Sequence, residues 1–272
     1  MLKANRPMNQ IVGSYDIALV TLDTLRLDVA NAGLSSGRTP NLARWIGNAG
    51  WERRHSPANF TYAAHHAFFA GFLPTSTDSQ DQTRLFATAF PGSETTGEST
   101  CVFEQATIVE GLADRGYETH CIGGVGFFNK KTPLGCVLPN LFQHSYWDES
   151  LGVTCVESAV NQVELANRIV DNREKDQRLF LFMNVSALHQ PNCCYLPGAE
   201  TDSAESQLAA LAYVDEALGK LFQRMQDNEP WFVVVCSDHG TAYGEEGRVG
   251  HRWNHPVIGD VPYADFIVSD SR

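Results

Sequence analysis

Residues 16–23 read Asp-Ile-Ala-Leu-Val-Thr-Leu-Asp, an unbroken apolar and β-branched run closed at each end by a carboxylate. The run is too short for a buried helix and does not alternate with polar residues. It has the composition of a strand covered on both faces, as in a parallel sheet. The pattern recurs at Arg178–Val185 (RLFLFMNV) and Trp231–Asp238 (WFVVVCSD), with shorter strands at Tyr117–Ile122 and Ala264–Val268. Helical segments lie between them. Thr39-Pro40 opens a helix with a threonine cap and a proline in first position, running to about Asn48 and stopping at Gly50. Another helix begins near Thr61, and Thr107–Arg115 is short and amphipathic. Val156, Val160, Val163 and Val170 mark one helix face. Leu208, Leu211, Asp215, Leu218, Phe222 and Met225 recur every three or four residues, which predicts a long helix. Strands alternating with helices predict a doubly wound α/β fold, a mostly parallel sheet with helices on both faces.

Nothing in the composition breaks the chain into parts. Residues 1–272 read as one domain, with 1–15 as a polar N-terminal tail. Residues 75–100, rich in Ser, Thr, Asp and Gly, read as a surface excursion, and Gly123–Gly126 as a flexible loop. Hydrophobic residues make up 43% and charged residues 19%, which excludes a disordered chain. A chain of this length buries roughly three quarters of its unfolded surface. The net charge of −12 argues against nucleic acid or an anionic membrane as partner, because both require basic surface. It does not exclude a small anionic substrate, since a bound cation inverts the local potential. Seven scattered cysteines without a C-x-x-C pair fit neither a disulfide framework nor a zinc ribbon, so the expectation is reduced thiols in a cytoplasmic protein. No signal-peptide pattern opens the chain, and the longest apolar runs are too short to span a bilayer.

In an open parallel sheet, ligands bind beyond the carboxyl ends of the strands. Asp23 ends the first strand, Asp238-His239-Gly240 ends the WFVVVC strand, and His189 follows the LFLFM strand. Carboxylate and imidazole together suit zinc, manganese or a similar cation. An aspartate at a strand end also serves as a helix cap, so no one of these residues is decisive alone.

The sequence resembles the alkaline phosphatase superfamily, nearest its sulfatase-like and phosphoethanolamine-transferase-like branches. The likeness runs in order through LVTLDTLRLD (19–28), TPNLARWIGNAG (39–50), TYAAHHAFFAGFLP (61–74), TIVEGLADRGYET (107–119), LFMNVSALHQP (181–191), YVDEALG (213–219), SDHGTAYGEEGRVGH (237–251) and VPYADFIV (261–268). The resemblance implies a nucleophile at a helix start, ten residues before a glycine, which is the spacing of Thr61 and Gly71. A helix N-terminus offers free N–H groups to an anionic oxygen, and a neighbouring cation makes threonine a competent nucleophile. The plain alternative is that Thr61 only caps its helix. By the same carry-over Asp23, Thr61, Asp238 and His239 hold one divalent metal, zinc or manganese, with calcium or magnesium as further options. His189 and His251 then contact the transferred group or the leaving oxygen, with His255 competing for the second role. His65 and His66 read as surface histidines, with contact of one of them to the substrate as the alternative, Arg26 and Asp28 as a structural pair, and Asp215 as a buried hydrogen-bond anchor.

The sequence also departs from the sulfatase pattern. Sulfatases carry Cys or Ser, convertible to formylglycine, followed by Pro and Arg two and four residues on; here Thr61, Ala63 and His65 stand at those positions. Threonine cannot yield formylglycine. The Lys and His that sulfatases place after the GYET strand are missing from Gly123–Phe128. Two-metal relatives need Asp four residues before the first histidine, where this chain has Val185, so one metal is expected, with a second weak site left open. The phosphoethanolamine transferases' membrane anchor and the sulfatases' C-terminal subdomain are not expected. The predicted activity is hydrolysis or transfer of phosphate-type esters through Thr61. The alternatives are a sulfatase-like ester hydrolase without formylglycine and a non-catalytic binding protein of the same fold. Neither the substrate nor the oligomeric state is legible.

Overall fold

The run at residues 16–22 lies at the middle of the main sheet. A computed structural model describes residues 7–71, 86–87, 101–102, 106–228 and 230–269, the two short pairs by their backbone alone. In chain order these form α1 (Met8–Ile11), β1 (Asp16–Leu22), α2 (Leu27–Ser35), α3 (Pro40–Ile46), β2 (Glu52–His55), α4 (Thr61–Ala70), β3 (Phe86–Ala87), β4 (Cys101–Val102), α5 (Ile108–Ala113) and β5 (Tyr117–Ile122). There follow α6 (Pro133–Val137), β6 (His144–Tyr146), α7 (Ser158–Asp171), β7 (Arg178–Val185), α8 (Ala204–Gln226), β8 (Trp231–Cys236), β9 (Ala242–Tyr243), β10 (Val249–Gly250), α9 (Pro256–Gly259) and β11 (Asp260–Val268). The seven-stranded sheet has the order β2-β11-β8-β1-β7-β5-β6. The strands from β8 to β6 are mutually parallel, while β11 runs antiparallel to both β8 and β2. This is the mostly parallel α/β sheet that the sequence predicts. The expected surface excursion at 75–100 falls outside the described residues, save the β3 backbone at 86–87.

Side chains alternate across a strand, so each continuous apolar run feeds two cores. Ala18, Val20 and Leu22 of β1 join Leu181, Met183, Val233 and Val235 in a cluster covered by α2, α3, α7 and α8. Ile17, Phe180, Phe182 and Phe232 point the other way, against Ile11, Phe69, Val109, Leu112 and Phe128. The three- and four-residue spacing in α8 puts Leu211, Leu218, Leu221, Phe222 and Met225 into the first cluster. Each fully buried side chain of this size stabilises the fold by about 1.5–3 kcal/mol.

Three expectations need correction. Residues 7–15 are not a free tail: Ile11 is fully buried, and the Tyr117 hydroxyl donates to Tyr15 O (2.7 Å) while accepting from Gly13 N (2.8 Å). Thr39 makes no capping hydrogen bond at the start of α3. Asp215 does this from α8: Oδ1 accepts from Leu42 N (2.7 Å), and Oδ2 from Asn41 N and Asn41 Nδ2 (3.0 Å each). Its carboxylate thus takes the free N–H groups of a helix start, as expected of a buried anchor. Third, the loop at Gly123–Gly126 is packed down. A Cβ on Gly124 would lie 2.3 Å from Asn184 O, and Val125 N donates to Asn184 Oδ1 (3.0 Å). Glycine is there for close approach to β7.

Candidate functional site

Strands β8, β1 and β7 are adjacent and parallel, so their carboxyl ends share one edge. Asp23 immediately follows β1, and Asp238-His239 follows β8. All three side chains are completely buried, and one ligand atom from each lies within 4.8 Å of the other two. Asp23 Oδ2 accepts from Asn184 Nδ2 (2.9 Å), while Oδ1 has no hydrogen bond. Asp238 Oδ1 accepts from Thr24 N (3.1 Å); its Oδ2 has no hydrogen bond and lies 3.4 Å from His239 Nε2. The His239 Nδ1–H donates to Gly240 O (2.8 Å). That bond fixes the tautomer and leaves the Nε2 lone pair facing the two aspartates.

The electrostatics fit a cation. Burial, then repulsion from Asp238, pushes the Asp23 carboxyl up to about 6. Burial pushes Asp238 up to about 7, against the opposing effect of its backbone hydrogen bonds. Burial also holds His239 below the ordinary imidazole range. Two buried carboxylates, each with a bare oxygen, beside a neutral imidazole form a costly arrangement unless a positive ion joins them. Two carboxylate oxygens, an imidazole nitrogen and a hydroxyl form a donor set suited to zinc or manganese.

That hydroxyl belongs to Thr61. It is the first residue of α4, and Phe60 occupies the capping position with no side-chain cap. Thr61 Oγ1 instead lies 3.2 Å from His239 Nε2. The capping alternative therefore loses its hydrogen bond. α4 spans the ten residues between Phe60 and Gly71, and Gly71 ends it in the left-handed conformation (φ 77°) that favours glycine. The spacing of Thr61 to Gly71 is thus the length of one helix.

The surface reading of His65 and His66 is wrong, since both are buried. His65 Nδ1–H donates to Thr61 O (2.8 Å), and Nε2 accepts from the Thr21 hydroxyl (3.0 Å). Four phenylalanines surround the ring: Phe68, Phe69, Phe128 and Phe182. Burial lowers its pKa to about 3, so it is a neutral strut between α4 and β1. A histidine four residues into a helix carries no sequence signal of this burial.

His189 and His251 face the same space. A cavity of about 550 Å³ is lined by Thr61, His189, His251, Arg252, Phe127 and Leu134, among others. The His251 ring centroid is 4.4 Å from His239 and 6.1 Å from His189. Its Nδ1 is buried without a hydrogen bond, and burial, then His239, lowers its pKa to about 3. His189 Nδ1–H donates to Gln190 O (2.5 Å). His255 is elsewhere engaged: its Nδ1 accepts from Val257 N (3.2 Å) at the start of α9. Val185, where two-metal relatives need an aspartate, is buried in the core. Arg26 pairs with Asp28 (2.9 and 2.7 Å) as expected and also with Glu245 (2.5 Å).

Sequence reasoning missed two residues. Asn184, the one amide in an otherwise apolar strand end, orients Asp23. Arg252 brings a guanidinium to the cavity beside His251.

No curated protein matches the chain by sequence. Solved structures match its fold. The soluble domain of lipooligosaccharide phosphoethanolamine transferase A from Neisseria meningitidis aligns with a TM-score of 0.62 at 18% identity, over 94% of this chain and 77% of that one. The C-terminal periplasmic domain of EcEptC from Escherichia coli, in complex with Zn, aligns at 0.62 and 13% identity, over 94% and 74%. The lipoteichoic acid synthase LtaP from Listeria monocytogenes aligns at 0.60 and 14% identity, over 96% and 67%. The sulfatase family model matches residues 16–258. The chain therefore belongs to the sulfatase family.

Proposed function

We propose that this chain is a metal-dependent hydrolase or transferase of phosphate-type esters with Thr61 as nucleophile. The observation that carries the reading is the placement of Thr61 Oγ1, at a helix start, 3.2 Å from an imidazole that itself sits among two buried, half-satisfied carboxylates. Asp23, Asp238, His239 and Thr61 would hold the cation. When bound, it supplies Lewis-acid stabilisation of negative charge on oxygen. Thr61 loses its proton to solvent, its oxygen bonds to phosphorus, and the ester P–O bond breaks, the leaving oxygen keeping the bonding pair and taking a proton from water. His251 and His189 border the cavity where the transferred group sits and hydrogen-bond its oxygens or the leaving oxygen. Arg252 adds positive charge at the cavity wall. A phosphothreonine then passes its phosphoryl group to water or to an acceptor alcohol.

The names of two structural relatives, a phosphoethanolamine transferase and a lipoteichoic acid synthase, support a phosphate ester over a sulfate ester. Six cysteines among the described residues are free. Among the described residues, no helix is long and apolar enough to cross a membrane. The decisive experiment compares turnover of aryl phosphate, aryl phosphodiester and aryl sulfate by zinc- or manganese-loaded protein. Phosphorus esters should turn over, and chelation should stop the reaction. Preferred turnover of aryl sulfate would overturn the assignment, and a loaded protein inert to all three would favour a binding role.

A further inference from the structure

A second set of metal-binding side chains lies outside this site. Strands β5 and β6 pair in parallel at the edge of the sheet, with His120 opposite His144. Glu118 and His120, two residues apart, project from the same face of β5. Glu118 Oε1 is 3.4 Å from His120 Nε2 and 3.0 Å from His144 Nε2, and the two rings stack with centroids 4.8 Å apart. Ligand atoms around a tetrahedral zinc, bonded at about 2.0–2.1 Å, stand about 3.3 Å apart. The two separations bracket that value.

Two further features point to a ligand. His120 is 5% exposed, and its buried Nε2 makes no hydrogen bond. Its other ring nitrogen, Nδ1, lies 3.4 Å from the Tyr146 hydroxyl. A proton on Nδ1, shared with Tyr146, leaves the Nε2 lone pair aimed at Glu118 and His144, the arrangement by which an outer hydrogen bond orients a metal-bound histidine. The group opens into a cavity of about 310 Å³ beneath α7, which gives an ion and its water a way in. Arg168 and Arg173 also line that cavity, and Arg173 is already paired with Asp16. Their charge sets the expected affinity below that of the Asp23 centre.

We propose that Glu118, His120 and His144 form a separate binding site for zinc or a similar borderline divalent cation, with water completing the shell, and that the ion ties the edge strand β6 to β5. The site shares no residue with the Thr61 cavity and does not depend on its chemistry. A metal that bridges two strands stabilises the folded state in proportion to its binding.

The test is zinc titration of the full chain by calorimetry. The parent should bind two ions, Asp238→Ala should keep one, and Asp238→Ala with His144→Ala should bind none. In the Asp238→Ala background, zinc at a hundredfold excess over Kd should raise the melting temperature by about 5 °C. Adding Glu118→Gln, which preserves the strand's shape, should remove that rise. Cobalt should give the intense visible absorption of a tetrahedral site in the same background. His144→Ala alone should leave turnover unchanged. Asp238→Ala that binds no zinc would overturn the proposal, as would titration unaltered by both His144→Ala and Glu118→Gln. Failure of the Asp23 centre would read differently: the parent would bind one ion, lost with His144→Ala and kept with Asp238→Ala.

Discussion

Replacing Asp238 by asparagine separates the cost of the buried carboxylates from their use. Asparagine keeps Oδ1 in place to accept from Thr24 N and puts an amide nitrogen where Oδ2 stood, 3.4 Å from the His239 lone pair. It removes one of the two charges confined within 4.8 Å. In the metal-free parent, Asp238 rises from 3.8 to about 7 and Asp23 from 3.8 to about 6, so between those limits the folded state binds more protons than the unfolded state. Stability must therefore fall as pH rises through this window, being fullest below about pH 4 as far as these two groups are concerned. A shift of about three units corresponds to about 4 kcal/mol at 1.36 kcal/mol per unit, an upper bound that relaxation and water entry reduce. Metal-free Asp238→Asn should therefore be more stable than the parent at pH 8 by about 1–3 kcal/mol, a rise in melting temperature of about 2–8 °C. Saturating zinc should reverse the order, because only the parent gains binding energy. Scanning calorimetry at pH 5 and pH 8, with chelator and with zinc, reads all four states. A metal-free variant less stable than the parent at pH 8, with no fall in parent stability from pH 5 to pH 8, would refute the picture of two uncompensated carboxylates awaiting a cation.

Thr61→Ser should retain part of the activity and Thr61→Ala should lose it, with a phosphoryl adduct on Thr61 seen by intact mass after rapid quenching. Parent-like turnover by the alanine variant would leave an attacking water in its place. His251→Ala should lower turnover by about 10²–10⁴-fold while metal occupancy stays full; an unchanged rate would remove this histidine from the mechanism. Asp215→Ala strips the start of α3 of its acceptors and should cost about 1–3 kcal/mol in urea unfolding. Activity per folded molecule should be unchanged, and a selective loss of turnover would argue against a purely structural anchor.

Much of the architecture is local information. Apolar runs predict β1, β7 and β8, those of β1 and β8 leading into a carboxylate, and a three-four spacing predicts α8, because burial on two faces or one leaves a trace in the sequence. The same traces place Asp23, Asp238 and His239 on one edge of a parallel sheet. β2 (Glu-Arg-Arg-His) leaves no such trace, since an edge strand with exposed side chains carries no apolar pattern. The three-residue β6 is too short to show a period.

Local pattern alone thus carries the strand-helix alternation, the parallel centre of the sheet and the identity of the groups at its carboxyl edge. Their partners were set by folding. It turned Thr61 towards His239 rather than towards its own helix, buried His65 as a strut, gave Asp23 its orienting Asn184, and passed the capping of α3 from Thr39 to Asp215. It also set His120 against His144 across two strands. The difference is one of range: periodicity records burial within an element, whereas a contact between separate elements depends on register and packing that no local pattern encodes.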